Sequence, residues 1–165
     1  MYEIYNNLDN KITKNVYNVL YNIIIDNYFS RNKQLLLKRN EIDTKEAYNN
    51  WVNTICNTKG YNILVYYYEN KIIGFISYMY NTKGLCLSEV QIKIEYQNKY
   101  NVLRSMLKIL LREEKVGNSI IICGTINPNN IKSISVFSHI GMVNTEKKWY
   151  EISGENLLKW INKNM

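Results

Sequence analysis

Apolar residues recur at helical spacing early in the chain and at strand spacing in its middle. Between Lys11 and Tyr28, Ile12, Val16, Val19, Leu20, Ile23 and Ile24 fall three and four residues apart, which predicts an amphipathic helix. Thr44 is placed to cap a second helix with Ala47, Tyr48, Trp51, Val52 and Ile55 on one face and Gly60 soon after its end. The pattern then shifts to β-branched and aromatic runs at Asn62 to Tyr68 and Ile72 to Tyr80, separated by the turn-forming Glu69-Asn70-Lys71. That reads as a hairpin, with Gly74 marking close backbone packing or a bulge. Leu85 to Ile94 predicts a third strand, with Leu87, Val90, Ile92 and Ile94 in partial alternation.

From Asn98 the period returns to helix. Leu103, Met106, Leu107, Leu110 and Leu111 make one stripe, expected to end near Gly117. Ser119 to Gly124 reads as a short buried strand. Asn130 opens a helix with Ile131, Ile134, Phe137 and Ile140 as its inner face, stopped by Gly141. Met142 to Thr145 and Lys148 to Ile152 fit two short strands, and Glu155 to Asn162 a last helix with Leu157, Leu158 and Ile161 apolar. The order predicts a mixed α+β class. No repeat, low-complexity linker or proline-rich stretch interrupts it, so residues 1–165 are expected to form a single domain.

Composition sharpens this picture by exclusion. Hydrophobic residues are 46% of the chain and charged residues 21%, the balance of a globular protein. Cys56, Cys86 and Cys123 are far apart and His139 is the one histidine, too few ligands for a zinc site. They read as reduced, mostly buried thiols, not nucleophiles. The start, Met1-Tyr2-Glu3-Ile4-Tyr5, lacks a basic segment followed by an apolar run, and stretches such as Ile120 to Cys123 are too short for a bilayer. A cytoplasmic protein without a membrane partner is expected. The net charge of +7 invites an anionic partner, yet the lysines are scattered, so a solvated surface accounts for it better than nucleic-acid binding.

Two segments carry a resemblance to a known family. Ile92-Lys93-Ile94-Glu95-Tyr96-Gln97-Asn98-Lys99-Tyr100-Asn101-Val102-Leu103-Arg104 resembles the cofactor segment of the GNAT N-acetyltransferase superfamily. There a strand and an acidic-aromatic pair lead into Gln/Arg-x-x-Gly-x-Gly/Ala at a helix start. Asn130-Ile131-Lys132-Ser133-Ile134-Ser135-Val136-Phe137-Ser138-His139-Ile140-Gly141-Met142 resembles its Asn-x-x-Ser-x-x-x-Tyr/Phe-x-x-x-Gly-Phe segment, with Met142 replacing the last aromatic.

The resemblance implies a central, mostly antiparallel sheet with a splayed strand pair and flanking helices. It implies acetyl-CoA as cofactor, an amine of a small molecule or protein as acceptor, and a homodimer through sheet edges, as the family often forms. Backbone groups of the splayed strand, at Ile92 and Ile94, would pair with the pantetheine arm. Gln97, Asn98, Lys99, Tyr100, Asn101 and Val102 would cradle the pyrophosphate at a helix N-terminus. Asn130, Ser133 and Phe137 would face the same cofactor.

The chain departs from the pattern at Tyr100 and Val102, which hold the two glycine positions. Glycine there permits positive φ, to which a β-branched residue is ill suited. Asn98 and Asn101 tolerate left-handed conformations, so the loop is either re-formed around Asn98, Lys99 and Asn101 or weakened. The resemblance also makes Glu89 the candidate base and a backbone N–H at Ile92 or a neighbour the oxyanion donor. Phe137 replaces the tyrosine that usually protonates the leaving thiolate, leaving that step to Tyr78, Tyr80 or water. Tyr78, Tyr80 and Trp149 are candidates for the acceptor pocket, and His139 is expected to be structural. Tyr100, Val102 and Phe137 together leave open the alternative of a catalytically silent CoA-binding protein.

Overall fold

A computed structural model describes residues 1–6, 12–30, 44–98 and 101–163. In chain order the elements are β1 (Tyr2–Asn6), α1 (Lys14–Ser30), α2 (Thr44–Asn57), β2 (Asn62–Tyr68), β3 (Lys71–Asn81) and β4 (Gly84–Ile92). A 3-10 turn (Ile94–Tyr96), α3 (Val102–Glu113), β5 (Ile121–Thr125), α4 (Ile131–Ile140), β6 (Val143–Glu146), β7 (Trp149–Ser153) and α5 (Gly154–Asn162) follow. The seven strands hydrogen-bond in the order β1-β2-β3-β4-β5-β7-β6, and β4 with β5 is a parallel pair in a mostly antiparallel sheet. The mixed α+β class read from periodicity is the observed one.

The chain divides into two compact units, Met1–Ser77 with Glu89–Val102, and Tyr78–Ser88 with Leu103–Met165. In the first, Leu20, Ile23 and Phe29 of α1, Ile55 of α2, Ile63, Leu64 and Val65 of β2, and Ile73, Phe75 and Ile76 of β3 are all buried. Glu69 and Asn70 take φ of 49° and 59°, so a two-residue turn with both central residues left-handed joins β2 to β3. Lys71, read as part of the turn, already belongs to β3. β1 is not expected from so polar a start; it pairs antiparallel with β2, Tyr2 opposite Tyr66 through Asn6 opposite Asn62. Ala47 is exposed, whereas Tyr48, Trp51, Val52 and Ile55 turn inward as expected. Lys11 and the Thr44 side chain lie outside the described residues, so the expected cap is not part of the structure described.

In the second unit α3 buries Met106, Leu107, Leu110 and Leu111. It ends before Gly117. Lys115 takes φ 49°, its N–H reaches the Arg112 carbonyl at 3.2 Å, and the Val116 N–H reaches that of Leu111 at 2.9 Å. This is a Schellman stop with lysine in glycine's place. A non-glycine residue in that conformation costs about 1–2 kcal/mol, while each buried leucine or methionine contributes about 2 kcal/mol. The apolar stripe outweighs the strained stop.

At the head of β4, Gly84 has φ +143, and a methyl built there would stand 2.1 Å from the Ile121 carbonyl oxygen. Immediately after it, β4 pairs with β5 through three residues only, Leu85 with Ile122, Cys86 with Cys123 and Leu87 with Gly124. β4 then continues to Ile92. No described helix is long and apolar enough to cross a membrane.

Candidate active site

The far end of β4 is where the chemistry-bearing residues of the first unit gather. Lys93 N–H donates to the Ile73 carbonyl at 2.8 Å, so residue 93 faces β3. Successive strand residues alternate in direction, and the Ile92 carbonyl therefore faces away from β3. It is occupied: Asn27 Nδ2 donates to it at 3.0 Å and Gln97 Nε2 at 2.8 Å. The expectation that this strand end offers open backbone groups is thus corrected for the Ile92 carbonyl. Ile94, expected within the strand, lies in the 3-10 turn and is 47% exposed. The strand ends at Ile92 because the following residues fold into that turn, with Tyr96 N–H on the Lys93 carbonyl at 2.9 Å and Gln97 N–H on that of Ile94 at 3.2 Å.

Glu89 sits half-buried on β4, and its Oε2 accepts from Gln91 Nε2 at 2.7 Å. Residues two apart on a strand share a face, which brings the two side chains together. Gln91 Oε1 accepts from Asn27 Nδ2 at 2.9 Å, and Asn27 Oδ1 accepts from Gln97 Nε2 at 2.9 Å.

Beyond the turn, Asn98 and Asn101 take φ of 67° and 50°. Among the described residues of the glycine-free loop the left-handed positions are therefore asparagines, whose short polar side chains tolerate that conformation. Lys99 and Tyr100 lie outside the described residues. Val102 is the first residue of α3, 4% exposed and not among the positive-φ residues, so its β-branch meets no strain. The first N–H groups of α3 have no acceptor within the helix and carry the positive end of its dipole. A helix start behind two left-handed asparagines can accept an anion such as a pyrophosphate.

In the second unit Asn130 caps α4, its side-chain oxygen accepting from Ser133 N–H at 3.2 Å. Gly141 closes the helix at φ 98°, with its N–H on the Phe137 and Ser138 carbonyls. Phe137 and Ser133 are half-buried. Ile131, expected on the inner face, is 69% exposed. A spacing of three falls short of a helical turn by about 60°, so Ile131 and Ile140 stand on opposite sides of the helix.

Tyr78, expected to line an acceptor pocket, is instead fully buried, its hydroxyl donating to Glu114 Oε1 at 2.6 Å. Burial first, and then the Glu114 carboxylate, hold its phenol well above the ordinary tyrosine range, which makes it a poor acid. Tyr80 is 48% exposed and its hydroxyl reaches the Glu114 carbonyl at 3.4 Å. Trp149 belongs to a different group: its indole N–H donates to Glu151 at 2.6 Å and Lys83 lies 4.7 Å from its ring centre. His139 meets Trp160 edge-on at 6.4 Å.

No family model matches the sequence, and no curated protein matches it. Solved structures do. An acetyltransferase from Thermus thermophilus is 13% identical, with 93% of this chain and 97% of that one covered at a TM-score of 0.65. The PaiA N-acetyltransferase of Thermoplasma acidophilum, solved with coenzyme A, is 14% identical over 92% and 96% at 0.57. The ribosomal-protein-S18-alanine N-acetyltransferase of Escherichia coli is 14% identical over 88% and 80% at 0.55.

This is the GNAT fold.

On that fold, the loop from Gln97 to Val102 and the helix from Asn130 are the two segments by which the sequence resembles the superfamily. Sequence reasoning missed Asn27 and Gln91. One signal was present: Asn27 falls four residues after Ile23 and three after Ile24, a polar residue on the predicted apolar stripe of α1. An unbonded amide buried there would cost about 1–3 kcal/mol, so its presence pointed to partners.

Proposed function

We propose that the chain is a single acyltransferase domain that transfers an acetyl group from acetyl-CoA to the amine of a small molecule or protein. The observation that carries this reading is the pair of left-handed asparagines, Asn98 and Asn101, at the entry to α3 of a GNAT fold. Asparagine can take the left-handed conformations for which such a loop ordinarily uses glycine, and a helix N-terminus directly after it favours an anion, which supports this reading. Gln97, Asn98 and Asn101 with the first turn of α3, and Asn130, Ser133 and Phe137 in the second unit, are the residues assigned to the cofactor; Lys99 and Tyr100 complete the loop in sequence.

Acetyl-CoA supplies an activated thioester. Glu89 removes the proton that the amine loses as its nitrogen bonds to the carbonyl carbon, directly or through one water. A backbone N–H at Ile92 or a neighbour donates to the carbonyl oxygen. The carbon–sulfur bond breaks, and the thiolate takes its proton from water or from Tyr80, since the Tyr78 phenol is held by Glu114. A cytoplasmic location and a homodimer belong to the same proposal.

Phe137, which has no proton to give, favours a second reading, a CoA-binding protein without turnover. Calorimetry with acetyl-CoA, followed by thiol release on adding a panel of amines, separates the two. The acetyltransferase binds acetyl-CoA and releases thiol, and Glu89→Gln lowers kcat by about 100-fold or more. Tight binding without turnover supports the second reading, and no binding at millimolar cofactor rejects both. Steeply salt-dependent binding to DNA or RNA would instead restore the nucleic-acid reading.

A further inference from the structure

Asn27 is 3% exposed near the C-terminal end of α1, one of two buried polar side chains in the described core. The other, Ser77, accepts from the Tyr61 hydroxyl at 2.9 Å. Asn27 touches three partners at once, Ile92, Gln91 and Gln97. The direction of every bond follows from one atom. The Ile92 carbonyl can only accept, so Asn27 must turn its Nδ2 toward it and its Oδ1 toward Gln97. The same Nδ2 then requires the oxygen of Gln91, which leaves Gln91 Nε2 pointing at the Glu89 carboxylate. The chain of donors runs one way, from Gln97 through Asn27 and Gln91 to Glu89.

We propose that Asn27 is a positioning residue that couples the Gln97 loop to the Glu89 carboxylate. Gln97 opens the segment assigned to the pyrophosphate, and Glu89 is the assigned base, so the inference rests on the acetyltransferase reading. An anion bound beside Gln97 fixes Gln97, Gln97 fixes the Asn27 amide, and Asn27 fixes Gln91 against the carboxylate. Coupled hydrogen bonds of this kind reinforce one another.

The test measures kcat and the acetyl-CoA Kd for Asn27→Leu, Gln91→Met, Gln97→Met and the two double variants that include Asn27→Leu. Asn27→Leu is expected to lower kcat and weaken acetyl-CoA binding, each by about tenfold, the upper size of one neutral hydrogen bond. Gln91→Met lowers kcat and leaves Kd unchanged, whereas Gln97→Met acts chiefly on Kd. In the doubles, Gln91→Met adds nothing further to the kcat loss and Gln97→Met nothing further to the Kd loss. Should Asn27→Leu fail to fold, Asn27→Asp carries the test: it keeps the acceptor for Gln97 but loses the donors to Gln91 and to the Ile92 carbonyl, so kcat falls by more than Kd rises. A cooperatively melting Asn27 variant with both constants within about twofold of wild type overturns the inference, as do losses that multiply in the doubles. Absence of acetyl-CoA binding in the wild-type protein overturns the acetyltransferase reading, and this inference with it.

Discussion

Gly84→Ala should be among the most costly single-methyl additions in the chain. The added Cβ would lie 2.1 Å from the Ile121 carbonyl oxygen and 3.0 Å from its carbon, where ordinary contact begins at 3.4 Å. One backbone must therefore move by more than an ångström. Neither is loose, because Leu85 to Leu87 pair with Ile122 to Gly124 directly afterwards. Overpacking of this kind costs about 1–3 kcal/mol, and the positive φ adds about 1–2 kcal/mol for a residue with a Cβ. Together they take a large share of a stability of about 5–15 kcal/mol. At about 2–4 °C per kcal/mol for a chain of this size, Gly84→Ala should melt about 4–20 °C below wild type by circular dichroism. Gly60→Ala is the control: its φ is +75 and nothing lies within 4 Å, so it carries the conformational cost alone, about 2–8 °C. The reasoning fails if Gly84→Ala melts no lower than Gly60→Ala.

Three other outcomes follow from the same structure. Asn130→Ala should cost about 1 kcal/mol through loss of the α4 cap, and Asn130→Gly only a few tenths; urea unfolding of the two variants tests the difference. Tyr78 has its phenol raised by burial and by Glu114, so the folded state keeps a proton that the unfolded chain loses above about pH 10. That contribution is complete below pH 10 and is lost as pH rises further, so in Tyr78→Phe the alkaline fall in stability should be shallower, alongside a lower stability at neutral pH. An unchanged alkaline slope would contradict it. Of the three free thiols, Cys56 is exposed, while Cys86 and Cys123 are buried and the Cys123 thiol is pushed up to about 12, mainly by burial and then by Cys86. A disulfide reagent at pH 8 should modify one thiol quickly and two only on unfolding. Three equal rates would refute that.

The elements with strong local signals were legible from the chain alone. Asn130 and Gly141 bracket α4 as read, because cap and stop are local chemistry. The β2–β3 hairpin and the α3 stripe were legible for the same reason. β1 escaped because its pairing with β2, 56 or more residues away, leaves no mark in a polar pentapeptide. The stop at Lys115 escaped because buried α3 side chains tolerate a strained residue that local propensity would reject. Tyr78 misleads because strand alternation says which residues share a face and not which face is covered. Within the site, Glu89, Gln97 and Asn98 stand out in the sequence, but Asn27 is 64 to 70 residues away from its partners and only the fold brings them together.

The asparagines at 98 and 101 change how the loop spends conformational entropy. A glycine surveys a wide backbone territory and loses most of it on ordering, whereas a residue with a Cβ has less to lose. On meeting the anion proposed above, Asn98 and Asn101 would therefore have less backbone freedom to lose than glycines in their place, a form of preorganisation. The same Cβ atoms add bulk near the backbone that glycine would leave bare. If the proposed pyrophosphate site is right, asparagine at 98 and 101 gives a smaller entropic penalty and a looser steric fit than glycine, and replacing both by glycine would move the balance the other way.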